Sequence, residues 1–207
     1  NFIMSKLETN TIDTISGTST LQVGSTNTST ITLGVSGDTI NVPSGVTINN
    51  NGTQTGFGGA NTPAFEAFLS SDQTISNNTN TKIQFNTEVY DTASAYDNSS
   101  NYRFTPQTAG KYFVYSKIRV QSTNNTNLKT TAIYLYKNGS NICESFDLYW
   151  NSYIRSAYIA LSTTVDMNGS SDYLELYGYG LANDSSLYGV MGNSDRVSNF
   201  GAYKIIE

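Results

Sequence analysis

Apolar and polar residues alternate with a period of two over most of the second part of this chain. In KIQFNTEVY (82–90), Ile83, Phe85, Thr87 and Val89 fall on one face, and Lys82, Gln84, Asn86 and Glu88 on the other. That is the pattern of a strand with one side in a core and one in water. KYFVYSKIRV (111–120) sets Val114, Ile118 and Val120 against Phe113 and Tyr115, which predicts a strand covered on both faces. TAIYLYKNGSNIC (131–143) holds Asn138-Gly139 between two apolar runs, a strong local signal for a hairpin. Two more strands, 156–167 and 172–180, flank an Asn168-Gly169 turn, and FGAYKIIE (200–207) reads as a closing strand. No segment keeps a helical period, so the pattern predicts an all-β sandwich or jelly roll.

The first part of the chain is patterned differently. Short apolar pairs recur at spacing two: Leu21 and Val23; Ile31, Leu33 and Val35; Ile40 and Val42; Val46 and Ile48. Gly24, Gly34, Gly37, Pro43, Gly45 and Gly52 punctuate them. Strands of about five residues with one thin apolar face do not stand alone. Stacking them, or winding three copies round an axis, would bury those faces. The alternation is too regular for a Ser/Thr/Asn linker. The reading is an intertwined stalk over 18–58 whose core is these nine apolar residues. Residues 1–17 lack periodicity and read as an anchor to a larger assembly, and 59–207 as the head. The boundary lies in GFGGANTP (56–63), and no aromatic residue occurs between Phe2 and Phe57.

Composition sharpens this picture. Only 13% of the 207 residues are charged, and the formal net charge is -5. A nucleic-acid surface needs clustered Lys and Arg, so no nucleic acid is expected as a partner. Cys143 is the single cysteine, so no disulfide closes within the chain, and a small buried hydrophobe is expected there. No apolar run approaches the ~18 residues of a membrane span, so no membrane insertion is expected. Met4 reads as a natural start, and the opening residues lack the order of a signal peptide. Synthesis in a cytoplasm, with exit inside a larger particle, is the expectation.

Histidine is absent, which removes His-based nucleophile systems and His metal sites. Asp91, Asp97, Asp147 and Asp184 are candidate carboxylates for a glycosidase pair, but nothing fixes two of them at a working separation. No enzyme and no cofactor are expected. A structural calcium ion is compatible with the oxygen-rich loop Asp166–Asp172, though a plain turn explains it better. Tyr149, Trp150, Asn151 and Tyr153 lie between strands without clean alternation. Aromatic faces beside amides suit sugar rings, so this segment is the candidate receptor-binding site. Phe113, Tyr115, Tyr177 and Tyr179 are expected in the core or at a trimer interface.

Six fragments in order resemble the globular head of complement component 1q, within the complement and tumour necrosis factor jelly-roll superfamily. They are Pro63-Ala64-Phe65-Glu66-Ala67; Phe85 in its strand; Tyr96-Asp97 with Phe104-Thr105-Pro106; Gly110-Lys111-Tyr112-Phe113-Val114; Leu135-Tyr136-Lys137-Asn138-Gly139; and Phe200-Gly201-Ala202-Tyr203. The chain departs from that pattern at Tyr102, where the family has Gly, and at MNGSSD (167–172), where it has a Gly-Asp turn. The resemblance implies a ten-stranded jelly roll that trimerises through one sheet. The opening MSKLETNTIDTISGTSTLQVG (4–24) looks like the start of structural proteins from phages of marine and cyanobacterial hosts. It implies a homotrimeric virion fibre or spike on a capsid or tail. Its N-terminal segment would dock to other virion proteins, and its head would bind a host-surface glycan or protein. A capsid decoration with a purely structural head is the alternative, and a capsule-degrading enzyme a third.

Overall fold

The structure is a computed structural model that describes residues 23–24, 26–49, 51, 61–123, 127–150, 152–183 and 185–205. Leu21, Asn151, Asp184 and the expected anchor 1–17 lie outside the described residues. The chain divides into two units, 1–54 and 55–207.

In the first unit the described residues form turns and no strands. Asp38 N–H donates to the Val35 carbonyl (3.0 Å) and Val46 N–H to the Pro43 carbonyl (3.2 Å). Gly37 and Gly45 hold the third position of these turns at φ 97° and 86°, where a side chain would be strained. The two x-Ser-Gly-x turns start eight residues apart in the sequence, the loose repeat seen in the apolar pattern. The short strands expected between them are not formed in a single copy. Their thin apolar edges have nothing to pack on, and the apolar side chains stand 41% (Val42) to 76% (Val35) exposed.

The described residues of the second unit form twelve strands in two antiparallel sheets. They are β1 (Ala64–Phe68), β2 (Thr81–Lys82), β3 (Thr87–Asp91), β4 (Tyr96–Asp97), β5 (Arg103–Phe104), β6 (Ala109–Ser122), β7 (Leu128–Lys137), β8 (Ser140–Leu148), β9 (Ser156–Asn168), β10 (Leu174–Ala182), β11 (Leu187–Val190) and β12 (Asn199–Lys204). In the first sheet β6 is the spine. β9 pairs along one side of it, and β12 and β11 share the other. β1 follows β12, and β3 closes that edge. In the second sheet β8, β7 and β10 lie side by side, with β5 and β2 on the far side of β10 and β4 beyond β5.

One sequence expectation changes here. The run 82–90 is not one strand. Thr81–Lys82 pairs with β10 in the second sheet, and Thr87–Asp91 with β1 in the first. The link between them still alternates, with Ile83 and Phe85 fully buried, but it passes between the sheets and keeps one backbone bond to β10, from Ile83 N–H to the Leu176 carbonyl (2.9 Å). The Gln73 side chain takes a ladder's place, donating to the Lys82 carbonyl and accepting from Gln84 N–H, both at 2.8 Å. The Asn168-Gly169 turn likewise carries the chain from one sheet to the other. The hairpin at Asn138-Gly139 is as expected, with both residues at positive φ (53° and 79°).

One ring cluster joins the sheets. Phe65 from β1 stacks on Tyr96 (4.6 Å) and Phe104 (4.5 Å) of the second sheet and meets Phe200 of its own sheet edge-on (5.0 Å). Tyr112 joins through Phe104 (5.7 Å), and Phe85 through Phe200 (5.9 Å). The buried Tyr96 hydroxyl donates to the Phe85 carbonyl (3.0 Å). The Tyr112 hydroxyl donates to the Thr108 carbonyl, and burial pushes its pKa up to about 12.

The β4–β5 turn is built on Asp97. Its carboxylate accepts from the Ser99, Ser100 and Asn101 backbone N–H groups and from the Asn101 amide. These bonds, led by the one from Ser100, hold its carboxyl well below the usual range. The turn delivers Tyr102 at φ 50°, a left-handed conformation that costs a residue with a Cβ roughly 1–2 kcal/mol.

Two outcomes follow for this frame. Phe65→Ala removes the ring that touches both sheets and lowers unfolding free energy by about 3–5 kcal/mol in urea titrations. Asp97→Asn loses about 1 kcal/mol at neutral pH. Because the folded pKa is depressed, that stabilisation is complete above the unfolded carboxyl's pKa of about 3.9 and fades as pH falls further. The urea midpoints of parent and variant therefore converge below about pH 4.

Candidate functional site

The strand alternation aims two sets of rings outward, one from each sheet. On β6, Tyr112, Val114, Ile118 and Val120 point into the core, so Phe113 and Tyr115 point out. Tyr203 on β12 is opposite Phe113 in the ladder, and their rings lie 5.5 Å apart. Tyr115 follows at 6.3 Å from Phe113. Its ring lies flat over Gly201, where a Cβ would stand 2.4 Å from the ring carbon Cζ. The Tyr115 hydroxyl donates to Glu66 Oε2 (2.9 Å). Burial, then hydrogen bonds with Tyr90 and Glu66, push this phenol well above its usual pKa, so it stays a donor. Arg196 reaches Glu66 at 3.6 Å and lies over the Phe68 ring. Beside Tyr115 the small residues Ala160 and Ser162 of β9 leave a hollow of about 410 Å3. Phe113 and Tyr115 are therefore brought together, with Tyr203 and the 41%-exposed Tyr90 as members that the sequence reading left out. The signal for Tyr203 was present in FGAYKIIE, where Phe200 and Ala202 alternate with it.

Tyr177 and Tyr179 do not join that face. They lie on β10 and point outward from the opposite sheet. Tyr136 packs on Tyr177 at 4.3 Å, and Tyr179 donates to Asn78 Oδ1 at 2.6 Å. A single-sheet interface therefore cannot contain all four residues named from the sequence. The reason is the sheet-changing turn at Asn168–Asp172, which separates β9 from β10.

The described residues of the segment 149–153 lie where β6 ends. β6 passes the Ala64 level at Phe113, through Tyr203, and runs nine residues further to Ser122, about 30 Å. There Ser122 N–H donates to Arg155, and Leu128 bridges Ile154. The segment is thus at the end of the head remote from the start of β1. Trp150 is 63% exposed and edges a hollow of about 340 Å3 with Leu148, Tyr149 and Ser152. Tyr149 is tied down, its hydroxyl 3.3 Å from Thr131 Oγ1 and 3.4 Å from Asp147, with burial raising its pKa. Tyr153 carries the Lys129 ammonium over its ring at 5.5 Å. Of the described residues here, Trp150 is the one that presents an open ring.

The described carboxylates considered for catalysis are engaged by the protein's own donors. Asp91 accepts from Ala93 and Tyr96 N–H, Asp97 holds its own turn, and Asp147 faces Tyr149. The oxygen-rich loop is also satisfied by protein donors. Asn168 Oδ1 accepts from three backbone N–H groups, Asp172 from Lys137, Asn138 and Asn168, and Asp166 from Lys111. Cys143 is partly buried against the core, as expected of a small hydrophobe. Among the described residues no helix is long and apolar enough to cross a membrane.

No protein-family model matches the chain, and no curated protein is similar to it. Solved structures do resemble it. The globular domain of zebrafish complement 1qA superposes with a TM-score of 0.51 at 12% identity, covering 69% of this chain and 97% of that one. Eiger TNF from S. frugiperda superposes with a TM-score of 0.52 at 11% identity, covering 69% and 91%. At such identities the likeness speaks for the fold. The head is the jelly-roll sandwich that those two domains share.

Proposed function

We propose that the chain is a homotrimeric, non-enzymatic fibre or spike of a phage particle, displayed on its capsid or tail. Its N-terminal segment docks to other virion proteins, its stalk holds three heads together, and the heads bind a host-surface glycan or protein. The observation that carries this is that one copy leaves two apolar surfaces in water. The first is the stalk row of Val23, Ile31, Leu33, Val35, Ile40, Val42, Val46 and Ile48. Burying it releases on the order of 10 kcal/mol per copy before the entropy of ordering is set against it. The second is the face of Phe113, Tyr115, Tyr203 and Tyr90, whose neighbouring charges Glu66 and Arg196 are already paired. Jelly rolls of the complement 1q and tumour necrosis factor type form homotrimers, which fits both surfaces. The virion setting rests on the resemblance of residues 4–24 to phage structural proteins.

Adhesion then works by avidity. Three weak sites on one rigid particle act at high effective concentration, so reversible contacts add to a firm hold. A surface of amides, hydroxyls and rings retains its contacts at salt concentrations that screen charge attraction.

In sedimentation equilibrium the full chain runs with the mass of three copies. Phe113→Glu weakens that trimer at least tenfold, while Tyr179→Glu on the other sheet leaves it unchanged; a monomeric parent overturns the proposal. Purified trimers bind saturably to cells within a panel of bacteria, whereas a capsid decoration shows no saturable binding to any of them.

A further inference from the structure

A further concave site lies on the flank of the head, between the loop after β1, the link from β2 to β3, and Tyr102. It is a hollow of about 290 Å3, and its walls are fixed. Gln73 exchanges two backbone bonds with Val190 (both 2.9 Å) while its side chain clamps the Lys82–Gln84 backbone. Asp72 Oδ1 accepts from Gly192 N–H (2.9 Å), and Asn86 Oδ1 from Ser70 N–H (3.1 Å). Gly192 packs so closely that a Cβ there would meet the Ser71 carbonyl at 2.3 Å.

The groups left over face the hollow's solvent. Asp72 Oδ2, the Asn86 amide N–H, the Gln84 amide and the Thr74 hydroxyl have no hydrogen-bond partner among the described residues. They offer both donors and acceptors. No Lys or Arg lines the hollow. Lys82 turns its ammonium to Glu175 and to the Asn101 carbonyl. The Asp72 carboxylate therefore disfavours an anionic ligand, and a neutral polyhydroxyl one suits the set.

Tyr102 supplies the apolar face, and its backbone singles it out. Of the six non-glycine residues at positive φ among the described residues, Asn78 and Asn138 tolerate it and Ser94 and Ser185 are small. The fifth, Arg196, is engaged with Glu66 and Phe68. Tyr102 makes no hydrogen bond and no ring contact through its side chain among the described residues. Glycine would hold this turn without strain, yet a half-buried tyrosine stands here and lines the hollow.

We propose that this hollow binds one neutral hexopyranose residue of a surface glycan. The sugar's C–H face lies on Tyr102, and its hydroxyls bond to Asp72, Gln84 and Asn86. Its volume is at the lower end for ligand sites and takes a single ring. The proposal rests on the attachment reading above and gives it a ligand class.

The test is saturation-transfer NMR on the full-length trimer, with the methyl glycosides of glucose, galactose and mannose, and with glucuronate, as probes. At least one neutral glycoside shows transfer to its ring protons and glucuronate shows none. Tyr102→Gly and Tyr102→Asn, both compatible with the left-handed turn, lose the signal at least tenfold. Their thermal midpoints stay within about 2–4 °C of the parent's, because relief of backbone strain and loss of a half-buried ring offset one another. Asp72→Asn narrows the difference between neutral and anionic probes. Absence of transfer from every neutral glycoside, or full signal in both Tyr102 variants, overturns the proposal. Cell adhesion measured in parallel separates the two ideas. Adhesion that survives in the Tyr102 variants and is abolished by protease treatment of the cells points to a protein receptor and sinks the sugar site alone. Glycoside binding without adhesion sinks the attachment reading and leaves the hollow.

Discussion

The head depends on a single interlocked set of rings. Phe65 reaches from the first sheet to stack on Tyr96 and Phe104 of the second, while Phe200 closes on its edge. The chain has no disulfide, and few of its strands are long, so this cluster is what holds the two layers in register. Three strands have only two residues each, and they stay in place because Tyr96 and Phe104 are anchored in the cluster and Lys82 is tied to Gln73 and Glu175. Every surface feature is positioned from this frame.

A period of two guarantees that whatever fills the core leaves a second set of side chains outside. In an ordinary sheet that second set is polar. Here it is Phe113, Tyr115 and Tyr203 on one sheet and Tyr134, Tyr136, Tyr177 and Tyr179 on the other. The two faces differ in kind. On the first, Glu66 is paired with Arg196 and the Tyr115 ring lies low over Gly201, giving an apolar patch. On the second, the tyrosines are capped by local amides and by Lys82. The stalk poses the same problem in simpler form, since its turns are built but its apolar rows have no layer to face.

The loops at the remote end and flank of the head are held still by the frame. Asp97 fixes the turn that delivers Tyr102, and Gln73 fixes the wall opposite it. Strain at Tyr102 is tolerable because the turn before it is held by five hydrogen bonds to one carboxylate. Trp150 projects on its own because its neighbours Tyr149 and Tyr153 are tied to β7 and Lys129.

Much of this was legible in the residues themselves. Alternation in 111–120 separated inward Val114 and Ile118 from outward Phe113 and Tyr115, and Asn138-Gly139 announced its hairpin, because both signals are local properties of backbone geometry. The ordered fragments from Pro63 to Tyr203 supply the core rings, so the fold was readable too. Which sheet a strand joins is a different matter. That choice is made by partners distant in sequence, and it broke 82–90 into two strands, sent β9 and β10 to opposite layers, and placed Phe113 and Tyr177 back to back. The hollow at Tyr102 was legible only as a misplaced residue at a glycine position. Its chemistry appears when three segments, far apart along the chain, are packed against one another.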